Sequence, residues 1–218
     1  RLVEVLSGVP FDEFVRKHNK STTDISSTIN TLEYKPKLDY SYSGTPILGW
    51  SGSHSTSKFL HLLTPVLQEL ARRHRFRLLV IGDEDFKMEG VEVEAMEWPG
   101  PGEVEQLRRI DIGLYPLPDE RWVLGKSGLK ALQYMGLGIP TIASAKGANF
   151  RIIRDGENGF LVKTEEEWRQ RIEVLLADTE LRQRLGKAGR KVVEDQFSVT
   201  VNAGRYLRAL MGDEFKAK

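Results

Sequence analysis

The chain has no cysteine, which removes disulfides, thiolate nucleophiles and cysteine-based metal centres. That fits a reducing compartment without establishing one. It has no excess of either charge: 32 Lys and Arg stand against 31 Asp and Glu, a net of +1. No basic run is interleaved with aromatics, so nothing points to nucleic acid as a partner. Histidine is scarce, and His18, His54, His61 and His74 lack the spacing of paired metal ligands. No apolar run approaches the length of a membrane span and no signal peptide is visible, so a cytoplasmic location is expected. An initiating methionine is missing too. Arg1 leads directly into the strand-like run Leu2 to Leu6, and the chain is expected to be a piece of something longer.

What is present is most informative between Gly125 and Ser144. A Gly125-Lys126-Ser127-Gly128 turn opens an apolar-periodic helix that stops at Gly136 and Gly138, and Ile139 to Ala143 reads as a buried strand. Unpaired N–H groups at a helix start carry partial positive charge and favour an anion, commonly phosphate. Gly125-Lys126-Ser127 also looks like the end of a nucleotide P-loop. That motif needs a glycine where Glu120 stands, so the P-loop reading fails.

Residues 15–45 are polar and Ser/Thr-rich, expected to form a loose connection with a short helix at most. From Pro46 the pattern is regular. Strands are expected at Pro46–Trp50, Arg77–Ile81, Val91–Met96, Ile112–Tyr115, Ile139–Ala143 and Phe160–Val162. Helices are expected at Lys58–Arg73, Glu103–Ile110, Asn149–Arg154, from the Thr164/Glu167 capping box to Ala177, at Thr179–Gln196, and from Ser198 to Met211. Strands alternating with helices indicate an α/β chain with a doubly wound parallel sheet. In such a sheet ligands sit at the carboxyl ends of the strands. The division expected is residues 1–45 as connection, 46–197 as the nucleotide-binding domain and 198–218 as a closing helix.

From Pro46 to its end the chain resembles the C-terminal, donor-binding domain of a GT-B retaining glycosyltransferase of group 1, or family 4. Gly125 to Ser144 is similar to the family signature, a Glu-Gly-Phe-Gly-Leu turn leading through a helix to Gly-x-Pro-Val-Val-Ala-Ser. Gly147 to Val162, with Asn149-Phe150-Arg151-Ile152-Ile153-Arg154-Asp155-Gly156-Glu157-Asn158-Gly159-Phe160-Leu161, is similar to Asn-x-Glu-Ile-Val-x-Asp-Gly-x-Asn-Gly-Phe-Leu. Asp111 to Asp119 matches the strand before the signature, and Gly8-Val9 with Phe14 fits the interdomain Gly-Val-Asp-x-x-x-Phe. The chain also departs from the family. Gly125 and Gln133 stand where the family has two glutamates, and Gly49 to Ser57 replaces its Arg and Lys pair.

The resemblance implies a Rossmann-like sheet that is one half of a GT-B fold. It implies transfer of a hexosyl unit from a nucleotide-diphosphate sugar to a hydroxyl acceptor, with retention, in glycoconjugate or polysaccharide synthesis. The nucleotide-sugar is a co-substrate, with no cofactor and no metal. The donor diphosphate is assigned to Ser53, His54, Lys126, Ser127, Gly128, Leu129 and Lys130, with amides of the Lys126–Leu129 turn as donors. Lys130 could reach back to the phosphate or be a solvated helix residue. The nucleotide and sugar are assigned to Gly52, Gly82, Trp98 and Gln133, with Trp98 either stacking on the base or closing the core. Lys126 and Gln133 are the catalytic candidates, and Trp50, Trp122 and Trp168 are read as packing. The family's catalytic histidine and acceptor site lie in an N-terminal domain absent from this chain. The chain alone is therefore expected to bind donor without turning it over. Peripheral membrane association through that absent domain is a further expectation. A GT-B nucleotide-sugar epimerase and a non-catalytic nucleotide-binding module are the alternatives.

Overall fold

The computed structural model describes residues 4–6, 16–18, 22–42 and 44–211. Gly8, Val9 and Phe14 of the interdomain likeness lie outside the described residues, as do Leu2 and Val3. A short parallel pair, β1 (Glu4–Leu6) and β2 (Thr22–Asp24), precedes the main sheet. That sheet has six strands: β3 (Ile47–Ser51), β4 (Arg77–Ile81), β5 (Val93–Met96), β6 (Ile112–Tyr115), β7 (Thr141–Ser144) and β8 (Phe160–Val162). All its pairings are parallel, in the order β5-β4-β3-β6-β7-β8. The α/β, Rossmann-like architecture expected from the alternation is thus the one observed.

Strand β4 shows why its sequence is apolar throughout. Leu79 and Ile81 point into one hydrophobic cluster, Leu78 and Val80 into the other, as period-two side chains must when both faces are covered. The Leu78 face is covered by α2 (Thr64–Ala71), α6 (Glu165–Ala177) and α7 (Thr179–Val192), through Leu67, Leu70, Ile172 and Leu185. The Leu79 face is covered by α3 (Glu103–Arg108) and α4 (Leu129–Gly136), through Leu107, Leu132 and Met135. Each such leucine contributes about 1.5–3 kcal/mol on burial. Between these lie the short α1 (His54–Ser57) and α5 (Asn149–Ile152). The chain winds from β3 outward to β4 and β5, then returns to lay β6 on the other side of β3. The reversal opens a crevice at the carboxyl ends of β3 and β6.

Several boundaries differ from expectation for local reasons. The single helix expected over 58–73 is broken. Residues Lys58–Leu63 form a 3-10 turn, and α2 starts afresh with Pro65 in its first turn, where its missing N–H costs nothing. Strand β7 begins at Thr141 because Pro140 cannot donate, although its carbonyl still accepts Gly113 N–H at 2.9 Å. Helix α7 ends at Val192 and passes into a π turn, Val193–Phe197. The Thr164/Glu167 capping box is formed as its spacing requires.

The connection expected to be loose is packed. Ile25, Ile29, Tyr34 and Tyr40 are buried. Ile29 donates its N–H to Phe197 O at 2.8 Å and accepts from Val199 N–H at 2.9 Å. The last helix, α8 (Val199–Met211), leaves Val201, Leu207 and Leu210 exposed. Its Tyr206 hydroxyl, half-buried, donates to Ser26 O at 3.3 Å.

Arg182 locks this connection to the α6–α7 corner. Its side chain is 2% exposed. It donates to Tyr40 O at 3.0 and 3.1 Å, Leu175 O at 2.6 Å and Thr179 Oγ1 at 2.7 Å, and its guanidinium lies 3.9 Å from the Tyr42 ring centre. Burial raises the Tyr42 phenol to about 12 against the opposing pull of this cation. Arg182→Met strips donors from buried carbonyls, each costing about 1–3 kcal/mol when left unpaired. Urea unfolding is therefore expected to show a loss of about 3 kcal/mol. A loss within experimental error would show that the arginine merely fills space.

Candidate functional site

The crevice between β3 and β6 opens into a cavity of about 770 Å³. Ser51, Gly52, Ser53 and His54 come from the end of β3, Gly82 from the end of β4 and Trp98 from beyond β5. Glu103 comes from the start of α3, Tyr115 from the end of β6, and Lys126, Ser127, Leu129, Lys130 and Gln133 from the approach to α4 and its first turns. Of the residues assigned from sequence, all but Gly128 line it. Gly128 makes the turn before α4. Its φ is +75°, and a Cβ there would stand 2.4 Å from Ile152 Cδ1. Ser51, from the Gly49–Ser57 stretch, also lines the cavity, as do Glu103 and Tyr115, which no motif in the sequence marks.

Close backbone approach shapes one wall. Gly52 N–H donates to Ile81 O at 2.9 Å and Gly82 N–H to Met96 O at 2.8 Å. Gly82 has φ +101°, and a Cβ on it would lie 1.8 Å from Gly52 O. Only glycine satisfies both conditions.

Two lysines line the cavity, Lys126 and Lys130. Lys130 Nζ lies 5.1 Å from the Trp50 ring centre and 5.6 Å from that of Tyr115. Burial, with the neighbouring Lys126 charge, lowers its pKa to about 8, while Glu103 opposes the shift. Lys126 sits over the Trp122 ring at 5.0 Å, and Trp122 is half-exposed and tilted against Phe59. The Lys126 amide, expected among the anion donors, is already bonded to Val123 O at 3.0 Å, and this corrects that assignment. The amides of Ser127, Gly128, Leu129 and Lys130 have no partner among the described residues. They are the orphan donors of a helix start.

The remaining candidates divide clearly. Trp98 is 62% exposed, so it does not close the core, whereas Trp50 and Trp168 are buried in it. Gln133 is buried, and its Nε2 donates to the Tyr34 hydroxyl at 3.0 Å. His54 Nδ1 lies 2.9 Å from Asp83 Oδ1. The Asp83 bond and charge raise the exposed imidazole. Burial acts to raise Asp83, but the Ser57 and His54 side chains outweigh it and its carboxyl is lowered. Glu120 accepts the Trp122 indole N–H on the surface and takes no place in the cavity.

Comparison with known proteins agrees with this geometry. The family described as "Glycosyl transferases group 1" matches residues 45–178. Spore coat protein SA of Bacillus subtilis (strain 168) is 36% identical over 66 residues, 29% of this chain and 18% of that protein. Anabaena Alr3699/HepE, solved in complex with UDP and glucose, superposes with a TM-score of 0.76 at 16% identity, over 96% of this chain and 62% of its own. The C-terminal domain of the Francisella tularensis group 1 glycosyl transferase LpcC superposes at 0.61 and 19% identity, over 78% of this chain and 99% of its own. At such identities the superpositions speak to fold alone.

Proposed function

The chain belongs to the group 1 glycosyl transferases, and from that premise we propose that its cavity holds the nucleotide-diphosphate sugar of a hexosyl transfer. One observation carries the reading: a lysine whose Nζ lies near two aromatic rings, and helix-start amides without a partner among the described residues, meet at one cavity at the switch point of a parallel sheet. Such a place suits a diphosphate. As the bond from the sugar carbon to the diphosphate oxygen breaks, negative charge gathers on the departing phosphate. The Lys130 ammonium and the amides of Ser127, Gly128 and Leu129 take up that charge. Gly52, Ser53 and His54 flank the diphosphate, Lys126 attends from the rim, and exposed Trp98 offers a ring to the base. Glu103 bears charge of the wrong sign for a phosphate, so it accepts hydroxyls of the ribose or the hexose.

On this reading the chain is the C-terminal, donor half of the enzyme. The acceptor and its hydroxyl are held by an N-terminal domain, and transfer proceeds with retention and without a metal, toward a polysaccharide or glycoconjugate. Membrane association, if the whole enzyme has it, belongs to that other domain. The complex of HepE with UDP makes UDP the first nucleotide to try. At about a hundred times its Kd, a ligand bound only by the native state adds about 2.7 kcal/mol of stability. A melting-temperature screen of UDP, ADP, GDP and their hexose conjugates should show a rise of that size for one base. No rise with any of them would sink the proposal.

A further inference from the structure

Tyr34 belongs to the segment that precedes the main sheet, yet its hydroxyl reaches a residue of the cavity wall 99 positions later. It is held there firmly. The Tyr34 ring is buried, and Arg190 donates to the carbonyls of Tyr34 and Gly136, and to Thr31 O at 3.0 Å. Gly136 permits close contact with α4, since a Cβ there would lie 3.2 Å from Ile29 Cγ2 and 3.8 Å from Tyr34 Cβ. The segment and α4 are thus clamped as one body beside the cavity.

We propose that Tyr34 is a positioning residue for the bound donor, acting through Gln133. The phenol oxygen takes the Gln133 Nε2 donor at 3.0 Å. Gln133 Oε1 has no partner among the described residues and Gln133 lines the cavity, so the fixed amide presents an acceptor to a ligand hydroxyl. The phenol pins one end of the carboxamide and so holds the other end in a fixed position toward the cavity. Without the phenol, the side chain is no longer pinned and its contact with the ligand is lost for part of the time. The inference rests on the donor reading above, since it needs a hydroxyl-bearing ligand in this cavity. It makes the segment before the sheet a working part of the donor site.

The test is a double-mutant cycle read by calorimetric titration of UDP, ADP and GDP. The wild-type chain, Tyr34→Phe, Gln133→Leu and the double variant are compared, each checked for folding by its melting curve. Gln133→Met serves where Gln133→Leu does not fold. Tyr34→Phe is expected to weaken nucleotide binding about three- to tenfold, the worth of one hydrogen bond. In the Gln133→Leu background it should change nothing, because the pair acts as a unit. A lower melting temperature with unaltered affinity would overturn the proposal, as would an equal loss in both backgrounds. Failure of the wild-type chain to bind any of these nucleotides would instead overturn the donor reading itself, and the inference with it.

Discussion

Lys130→Met should bind a nucleoside diphosphate ten- to a hundredfold more weakly than the wild-type chain and, at pH 7, unfold at a higher temperature. The first effect is the loss of a charge-assisted phosphate contact, worth about 1.5–3 kcal/mol. The second follows from the same burial. The folded pKa of about 8 lies below that of an unfolded lysine, about 10.4. Below pH 8 both states carry the proton, and the folded state bears the whole cost of a poorly solvated charge. As pH rises from 8 to about 10 the folded state sheds its proton first, the cost fades and stability rises. A gap of one pH unit between the folded and unfolded pKa is worth about 1.4 kcal/mol, and Lys130 lines an open cavity, which reduces the cost. A gain of about 1–2 kcal/mol for Lys130→Met is therefore expected at pH 7, vanishing near pH 10.

The wild-type affinity should also fall as pH climbs past 8, while that of the variant stays flat. Lys126→Ala should cost less, since Lys126 rides on the half-exposed Trp122 ring at the rim. Titrations and denaturant curves at pH 7 and pH 10 check all of this. Unchanged nucleotide affinity in Lys130→Met would remove Lys130 from the site.

Gly82→Ala should lose about 3–5 kcal/mol of stability, or fail to fold. Two costs combine. The φ of +101° disfavours any side chain, by about 1–3 kcal/mol. The new Cβ would also stand 1.8 Å from Gly52 O, a backbone atom that cannot swing aside as a side chain would. Relief requires moving the loop after β3, so nucleotide binding should vanish along with stability. Gly156→Ala separates the two causes. Gly156 has φ +75°, and a Cβ there would meet nothing within 4 Å, so it should lose only about 1–2 kcal/mol. Equal losses at the two positions would show that the close approach to Gly52 adds nothing.

The sequence is most legible where periodicity and turn residues agree. Arg77–Ile81 is continuously apolar because both its faces are covered, and it appears as β4 with the expected bounds. Thr164 and Glu167 announce α6 by mutual capping. Pro65 within an apolar period conceals a break in the helix. The packed connection is hidden because its hydrophobic residues, Ile25, Ile29, Tyr34 and Tyr40, are scattered through a polar stretch without a period, and partners such as Phe197 for Ile29 and Gln133 for Tyr34 lie far along the chain. The cavity can be read from its loops, which carry glycines and a lysine-bearing turn. Glu103 and Tyr115 escape notice because one looks like an ordinary helix-start acid and the other like the last residue of a buried strand. Only the fold aims them at the same space. The setting of Lys130 against Trp50 and Tyr115 is hidden for the same reason, since neither ring is near it along the chain.

A crystal structure of the chain with UDP tests the central claim most directly. The diphosphate is expected at the carboxyl ends of β3 and β6. One of its oxygens should lie within about 2.7–3.2 Å of Lys130 Nζ, and others at similar distances from the amides of Ser127 to Leu129. UDP bound elsewhere, such as the shallow depression between His61 and Lys87, or a diphosphate out of reach of Lys130, would contradict it.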